Sequence, residues 1–300
     1  AIAGKLPGFS GSLNLGYSIV QNVIIPACID ITADTKIVVT YADGTPVTGI
    51  TVEDVAGIGT VIRRNVNADK MTEKITIVIL DGNGEPLTQT LTTSVQDYAM
   101  NLINSTDPKA TAVAKAMIIR MLDYGAMAQT QFSYRTDALV DAKMTEAHKA
   151  YLTDLSTVEM KDYRKQLSDL DMVILPWKST TLELGNKVIM CLITNLANYA
   201  GDPSALTMRL TYTDAKGNNV TVERPLELYN EATKLWAVSY DGLRATEMRT
   251  IVSAAIYLNG TRVSKTVEYS IESYGARSTD VAMQNLCLAM LAYGDSANIF

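Results

Sequence analysis

Histidine is all but missing from this chain: His148 is the only one in 300 residues. A Ser-His-Asp triad or a Cys-His pair would have to be built around it, and sites made of several histidine ligands are excluded. Its neighbours Glu146 and Lys149 are those of a solvated helix face. Cysteine is nearly as sparse. Cys28, Cys191 and Cys287 stand far apart without CxxC spacing, which argues against a zinc site and against a dense disulfide framework. Small buried apolar side chains are the expectation for them, and three thiols, pairing once or not at all, leave the compartment open. No apolar run approaches the roughly 20 residues of a membrane span, so membrane insertion is not expected. The 26 Lys+Arg and 32 Asp+Glu, net charge −6, are scattered along the chain; nucleic acid, which needs a concentrated positive footprint, is a poor partner. The first residues, AIAGKLPGFSG, lack the basic-then-apolar order of a secretory signal, as in a mature or trimmed chain.

What the chain does contain is a folded composition, 47% hydrophobic and 19% charged, at a length that predicts two domains of ordinary size. It also contains itself twice. SLNLGYSIV at 12–20 aligns with TLELGNKVI at 181–189, pairing Leu13 with Leu182, Leu15 with Leu184 and Gly16 with Gly185 at an offset of 169. LDYGAMAQTQF at 122–132 returns at the same offset as LAYGDSANIF, with Tyr293 for Tyr124 and Gly294 for Gly125. Between these ends TYAD (40–43) meets TYTD (211–214), Met71 meets Met248, and SVQDYA (94–99) meets SIESYG (270–275). Five matches in one order predict two copies of one module.

Within a copy, KIVVTYADGTPV, GTVIRRNV and EKITIVILDGNGEPLTQTLTT are rich in β-branched residues and broken by DG and NG turns, the punctuation of hairpins. The period then changes. SVQDYAMNLINS can open a helix, and DPKATAVAKAMIIRMLDYGAMAQTQF predicts a long one, capped by Asp107 with Pro108 in its first turn. Ala114, Met117, Met121, Gly125, Ala128 and Phe132 fall on one face, expected to be buried, with Gly125 and Ala128 letting the axis approach whatever lies beneath. The second copy is seven residues shorter between its two tyrosines, a loss expected to come from the first helix. MTEAHKAYLTDL and STVEMKDYRKQLSDLDM, between the copies, read as short amphipathic helices, the second with a capping box in Ser156 and Glu159.

The expected fold is therefore α+β: two tandem repeats, each an antiparallel Ig-like β-sandwich followed by a helical hairpin packed on it. Residues 1–135 form copy 1, 136–178 a helical connector and 179–300 copy 2.

The order SLxLG, Met-centred strand, DG turn, S(V/I)xxY, LxYGxxAQxxF resembles tandem modules found in large surface and secreted proteins of Gram-positive anaerobes, beside dockerin domains or leucine-rich repeats. Ala68-Asp69-Lys70-Met71 and Tyr124-Gly125-Ala126-Met127-Ala128-Gln129 carry the resemblance in copy 1; copy 2 departs from it at Asp295, Ser296 and Asn298. What the resemblance implies is an extracellular or cell-surface setting, a parent chain with further domains, and an adhesive or ancillary role without catalysis. It brings no catalytic residues.

Three functions remain to be weighed. The first is an adhesion or scaffold segment that recognises a cell-surface protein or polysaccharide. The second is a carbohydrate-binding ancillary module, for which Trp177, Tyr199, Tyr229, Trp236 and Tyr240 in or beside copy 2 are the candidate ligand-binding aromatics. Trp236 and Tyr240 alternate with Val238 as a strand does, so that face can be core, and Trp177 beside Pro176 at the module junction reads first as a wedge between domains. The third is a glycoside hydrolase, which needs two carboxylates about 5 or 6.5 to 9.5 Å apart across a cleft; no pair is marked out. No cofactor is called for. DGNGE (81–85) spaces Asp81, Asn83 and Glu85 as the start of a calcium loop does, but its twelfth position is Thr92, and a hairpin turn is the competing reading. Tyr124, Gly125, Ala128 and Phe132, with Tyr293, Gly294, Ala297 and Phe300, read as a packing signature.

Overall fold

A computed structural model describes residues 6–152, 160, 166–167, 175–185 and 187–300. The chain divides into two compact units, Ala1–Leu152 and Thr153–Phe300, of an α+β fold containing four antiparallel sheets.

In the first unit, β1 (Ser10–Leu15), β2 (Ile19–Ile24), β5 (Gly59–Val66) and β4 (Ile50–Val55) form one sheet in that order. The other is β3 (Lys36–Tyr41), β6 (Ile75–Leu80) and β7 (Leu91–Thr93). Strand periodicity explains their packing: in β6, Ile75, Ile77 and Ile79 alternate inward. They meet Val39 from their own sheet and Val23 and Ile62 from the other, so the sheets close as a sandwich. Helix α1 (Val95–Asn104) follows, capped by Ser94, and contacts β1; helix α2 (Ala112–Gln131) then packs on α1 and on the 3-10 turn Ala68–Lys70 between β5 and β6.

The second unit repeats this order. One sheet is β9 (Trp177–Leu184), β10 (Val188–Asn195), β14 (Leu235–Tyr240) and β13 (Glu227–Asn230). The other holds β12 (Asn219–Pro225), β11 (Leu206–Thr213), β15 (Val252–Leu258) and β17 (Thr266–Tyr269), with short strand β16 (Thr261–Arg262) on β15 and β8 (Gln166–Leu167) on β17. Tyr212 and Tyr240 join the two sheets, their hydroxyls 2.8 Å apart. Helices α4 (Ile271–Arg277) and α5 (Val281–Ile299) close the unit, α5 against the 3-10 turn Ala245–Glu247. The shortening of this copy is divided: α4 has seven residues where α1 has ten, and the rest comes out of the loop.

Several expectations change. The long helix starts at Ala112, not at Pro108: Asp107 is spent on a turn, accepting from Lys109 N at 2.9 Å, and Thr111 is the cap, accepting from Ala114 N at 3.2 Å. Met71 ends the 3-10 turn rather than centring a strand. Phe132 does not extend the buried row, because the helix stops at Gln131 and the chain swings away through positive φ at Ser133 and Arg135. The first connector helix is one turn, α3 (Glu146–Lys149), inside the first unit. The second, with Ser156 and Glu159, lies outside the described residues save Met160 and the strand pair Gln166–Leu167.

Candidate functional site

The repeated phrase is where helix meets turn. Gly125 lies so close to the Ala68–Met71 turn that a Cβ there would sit 3.0 Å from Ala68 O, 3.1 Å from Met71 Cε and 2.8 Å from Val140 Cγ1. Gly294 repeats the contact on Ala245 O at 3.0 Å and Met248 Cβ at 2.6 Å. Tyr124, Ala128 and Tyr293 are buried beside them, Ala297 is half-buried, and Phe132 and Phe300 are 44% and 70% exposed. Gln129, fully buried, accepts from Val140 N at 2.7 Å, and Gln96 Nε2 donates to Val140 O at 2.7 Å, which seats Val140 over Gly125. In the second unit Asn298 donates instead to Thr246 O at 2.7 Å, and Asp295 forms a two-pronged ion pair with Arg249 at 2.6 and 2.7 Å. The departures from the repeated pattern are thus coupled changes: the first unit has Thr72 and Ala126 where the second pairs Arg249 with Asp295.

The five aromatics have different fates. Tyr240 is buried and bonded to Tyr212. Trp177 and Trp236 both register opposite the buried Thr194, on its two sides, and both are half-buried; Trp177 donates its indole N–H to Lys265 O at 2.7 Å. Tyr199 is half-buried in the loop after β10. Tyr229, on edge strand β13, is 52% exposed and adjoins exposed Leu228. The structure therefore brings Trp177 and Trp236 together across Thr194 and leaves Tyr229 as the aromatic most open to a ligand.

Asp81 organises a hairpin. Its Oδ1 accepts from Glu85 N at 2.9 Å and Asn83 N at 2.8 Å, and these bonds, that from Glu85 foremost, hold its carboxyl below the usual range. Asp214 does the same for Lys216 and Asn218. Among the described residues no group of three or more His, Cys, Asp or Glu is placed to hold a metal ion. His148 uses both ring nitrogens structurally: Nδ1 accepts from Thr145 N at 3.2 Å and Nε2 meets Asn104 Oδ1 at 3.1 Å. The three cysteines are free; Cys28 is exposed, and burial pushes the Cys287 thiol up to about 12.

One concave feature was not legible in the sequence. A groove of about 520 Å³ opens at the end of the first sandwich, between the β2–β3 loop and β4. Ile25, Ile29, Ile31 and Val52 give it apolar walls, with Ile31 39% and Val52 43% exposed. Asp30, Glu53 and Asp54 supply carboxylates; Glu53 pairs with Arg63, and Asp54 accepts from Thr60 Oγ1 at 2.6 Å. Glu53 and Asp54 are consecutive on a strand and so project to opposite faces. ITVEDV reads as an ordinary alternating strand; only the tertiary gap beside it makes Val52 accessible.

Deeper in the same sandwich lies a polar core. Arg64 is buried, ion-paired to Glu73 at 3.1 Å and set 5.7 Å over the ring of Tyr41; Tyr134 O–H donates to Glu73 at 3.0 Å. The corresponding contact between the sheets of the second unit is Tyr240 on Tyr212.

No protein-family model matches the chain, and no curated protein matches it.

Proposed function

We propose that the chain is a non-catalytic extracellular adhesion or scaffold segment made of two copies of one Ig-like module. The strand order supports the module: β1-β2-β5-β4 and β3-β6-β7 run in the same order as the A-B-E-D and C-F-G sheets of constant-type immunoglobulin domains. The second unit repeats it and adds β12 beside β11. Neither unit needs a disulfide between its sheets; Cys191, on β10, is free.

The observation that carries the functional reading is the distribution of likeness between the units. What they share is packing, above all the glycine of the last helix pressed onto the 3-10 turn. Their exposed surfaces also differ: Ile31 and Val52 stand open at the groove in one, Leu228 and Tyr229 in the other. A pair of rigid copies with diverged faces is suited to recognition. The resemblance to surface-protein modules of Gram-positive anaerobes points the same way.

Exposed Tyr229 favours a second reading, in which the ligand is a polysaccharide. Affinity electrophoresis through gels containing soluble polysaccharides, run beside capture of surface-protein extracts on the immobilised chain, separates the two. Recognition of protein predicts a captured partner and no retardation by any polymer. Retardation that Tyr229→Ala abolishes, with the fold intact, would move the assignment to glycan. Neither capture nor retardation would sink both.

A further inference from the structure

The two units differ at one edge of the sandwich, and the difference leaves the first one open. Resting on the reading of the units as copies, β3 corresponds to β11. In the second unit β11 is paired along Thr207–Thr213 with β12, and Met208 stands opposite Arg224. In the first unit the chain turns back on β3 only briefly: Tyr41 N donates to Thr45 O at 2.8 Å and Val47 N to Val39 O at 3.0 Å. At Gly49, whose φ is 70°, it leaves for β4 in the other sheet.

The consequence is an unfilled strand position. Outward-facing backbone groups recur every second residue along an edge strand. Since Val39 and Tyr41 face outward, so do the N–H and C=O of Ile37, and among the described residues no backbone group pairs with them on that side. This position lies at the end of the sandwich that carries the β2–β3 loop, as does the groove: Ile25 N bonds to Thr60 O there, and Asp54 stands opposite Thr60.

Charge narrows the choice of occupant. The groove lining contains Asp30, Glu53 and Asp54 and no Lys or Arg. Of the three, Glu53 already has Arg63. A strand-edge position at the same end of the sandwich as these apolar walls and surplus carboxylates matches an extended segment whose apolar and cationic side chains alternate.

We propose that the open edge of the first unit binds an extended peptide segment of a partner protein, alternating apolar and basic residues. The peptide backbone adds to β3 at Ile37, an apolar side chain enters between Ile31 and Val52, and a cation reaches Asp30 and Asp54. This deepens the recognition reading by giving it a ligand class.

The probe is a blocked, fluorescein-labelled heptapeptide alternating valine and arginine, titrated with the intact chain and followed by anisotropy. Saturable binding that weakens severalfold in high salt is expected, with no binding of the same peptide carrying glutamate for arginine. Val52→Lys, at an exposed position, should weaken it at least about tenfold, while Tyr229→Ala leaves it unchanged. Peptide should also slow amide exchange at Ile37. The proposal is overturned if the basic peptide does not saturate, if the acidic one binds equally, if Val52→Lys has no effect, or if Ile37 exchange is unmoved by bound peptide. Self-association of the chain in competition with peptide would also overturn it, by assigning the edge to a second copy. Failure on any of these counts leaves polymer retardation and surface-protein capture as separate tests of recognition itself.

Discussion

Replacing Gly125 or Gly294 by alanine sets two known effects against each other. In a helix interior the change alone favours the helix by about 1 kcal/mol. Against this stands the space available. At Gly294 the new methyl would meet Met248 Cβ at 2.6 Å and Ala245 O at 3.0 Å, one atom fixed to the backbone and the other part of it. Neither can rotate away, so the cost belongs at the upper end of the roughly 1 to 3 kcal/mol of overpacking, and Gly294→Ala is expected to destabilise by about 2 kcal/mol net. At Gly125 two of the three nearest atoms, Val140 Cγ1 at 2.8 Å and Met71 Cε at 3.1 Å, are side-chain ends that can shift; only Ala68 O at 3.0 Å is backbone. A smaller loss is expected there, about 1 kcal/mol net. Denaturant unfolding reads both. Trp177 and Trp236 lie in the second unit, so tryptophan fluorescence follows Gly294→Ala, while circular dichroism follows Gly125→Ala. A stability gain near 1 kcal/mol at either site, the helix-propensity effect unopposed, would refute the close approach of helix and turn.

Asp123 makes a pH prediction. Burial, opposed by Arg120 at 3.5 Å, pushes its carboxyl up to about 6. A raised carboxyl contributes stability below the unfolded value, about 3.9, and loses that contribution as pH rises through about 6. Asp123→Asn should therefore be the more stable protein at pH 7, by about 2 to 3 kcal/mol, the Arg120 attraction being already contained in the net shift, and the difference should vanish near pH 4; a variant less stable at pH 7 contradicts this. Gln129→Ala leaves Val140 N–H without its buried acceptor and is expected to cost about 2 to 3 kcal/mol by the same unfolding measurement. Asp295→Ala should cost about 1 kcal/mol. Combined with Arg249→Thr, which recreates the Thr72 and Ala126 of the first unit, the loss should fall to within about 0.5 kcal/mol; strict additivity would deny the coupling.

Local pattern carried much of the architecture. The β-branched run EKITIVIL marked strand β6, and Gly125 and Gly294 marked a close approach of the last helix, although what it approaches is the 3-10 turn between two strands and not a sheet. Failures came where tertiary structure overrode a local signal. Asp107 and Pro108 have the chemistry of a helix start, but their turn is followed by Thr111, which caps better placed. Phe132 has helical spacing, but positive φ at Ser133 and Arg135 ends the helix before it. Arg64 sits in a strand of alternating pattern, and nothing nearby in sequence announces that Glu73 and Tyr134 will complete a polar core around it. The groove was invisible for a related reason: its walls come from the β2–β3 loop, β4 and the start of β5, segments distant in sequence that only the fold brings side by side.

Whether the chain binds or turns over can be read twice on the same samples: retention of the intact chain by immobilised surface proteins and polysaccharides, and release of reducing ends from those polysaccharides. Recognition predicts saturable retention on at least one surface, with reducing ends at the level of buffer alone. Reducing ends that accumulate in proportion to added chain, and disappear with Asp54→Asn, would contradict it.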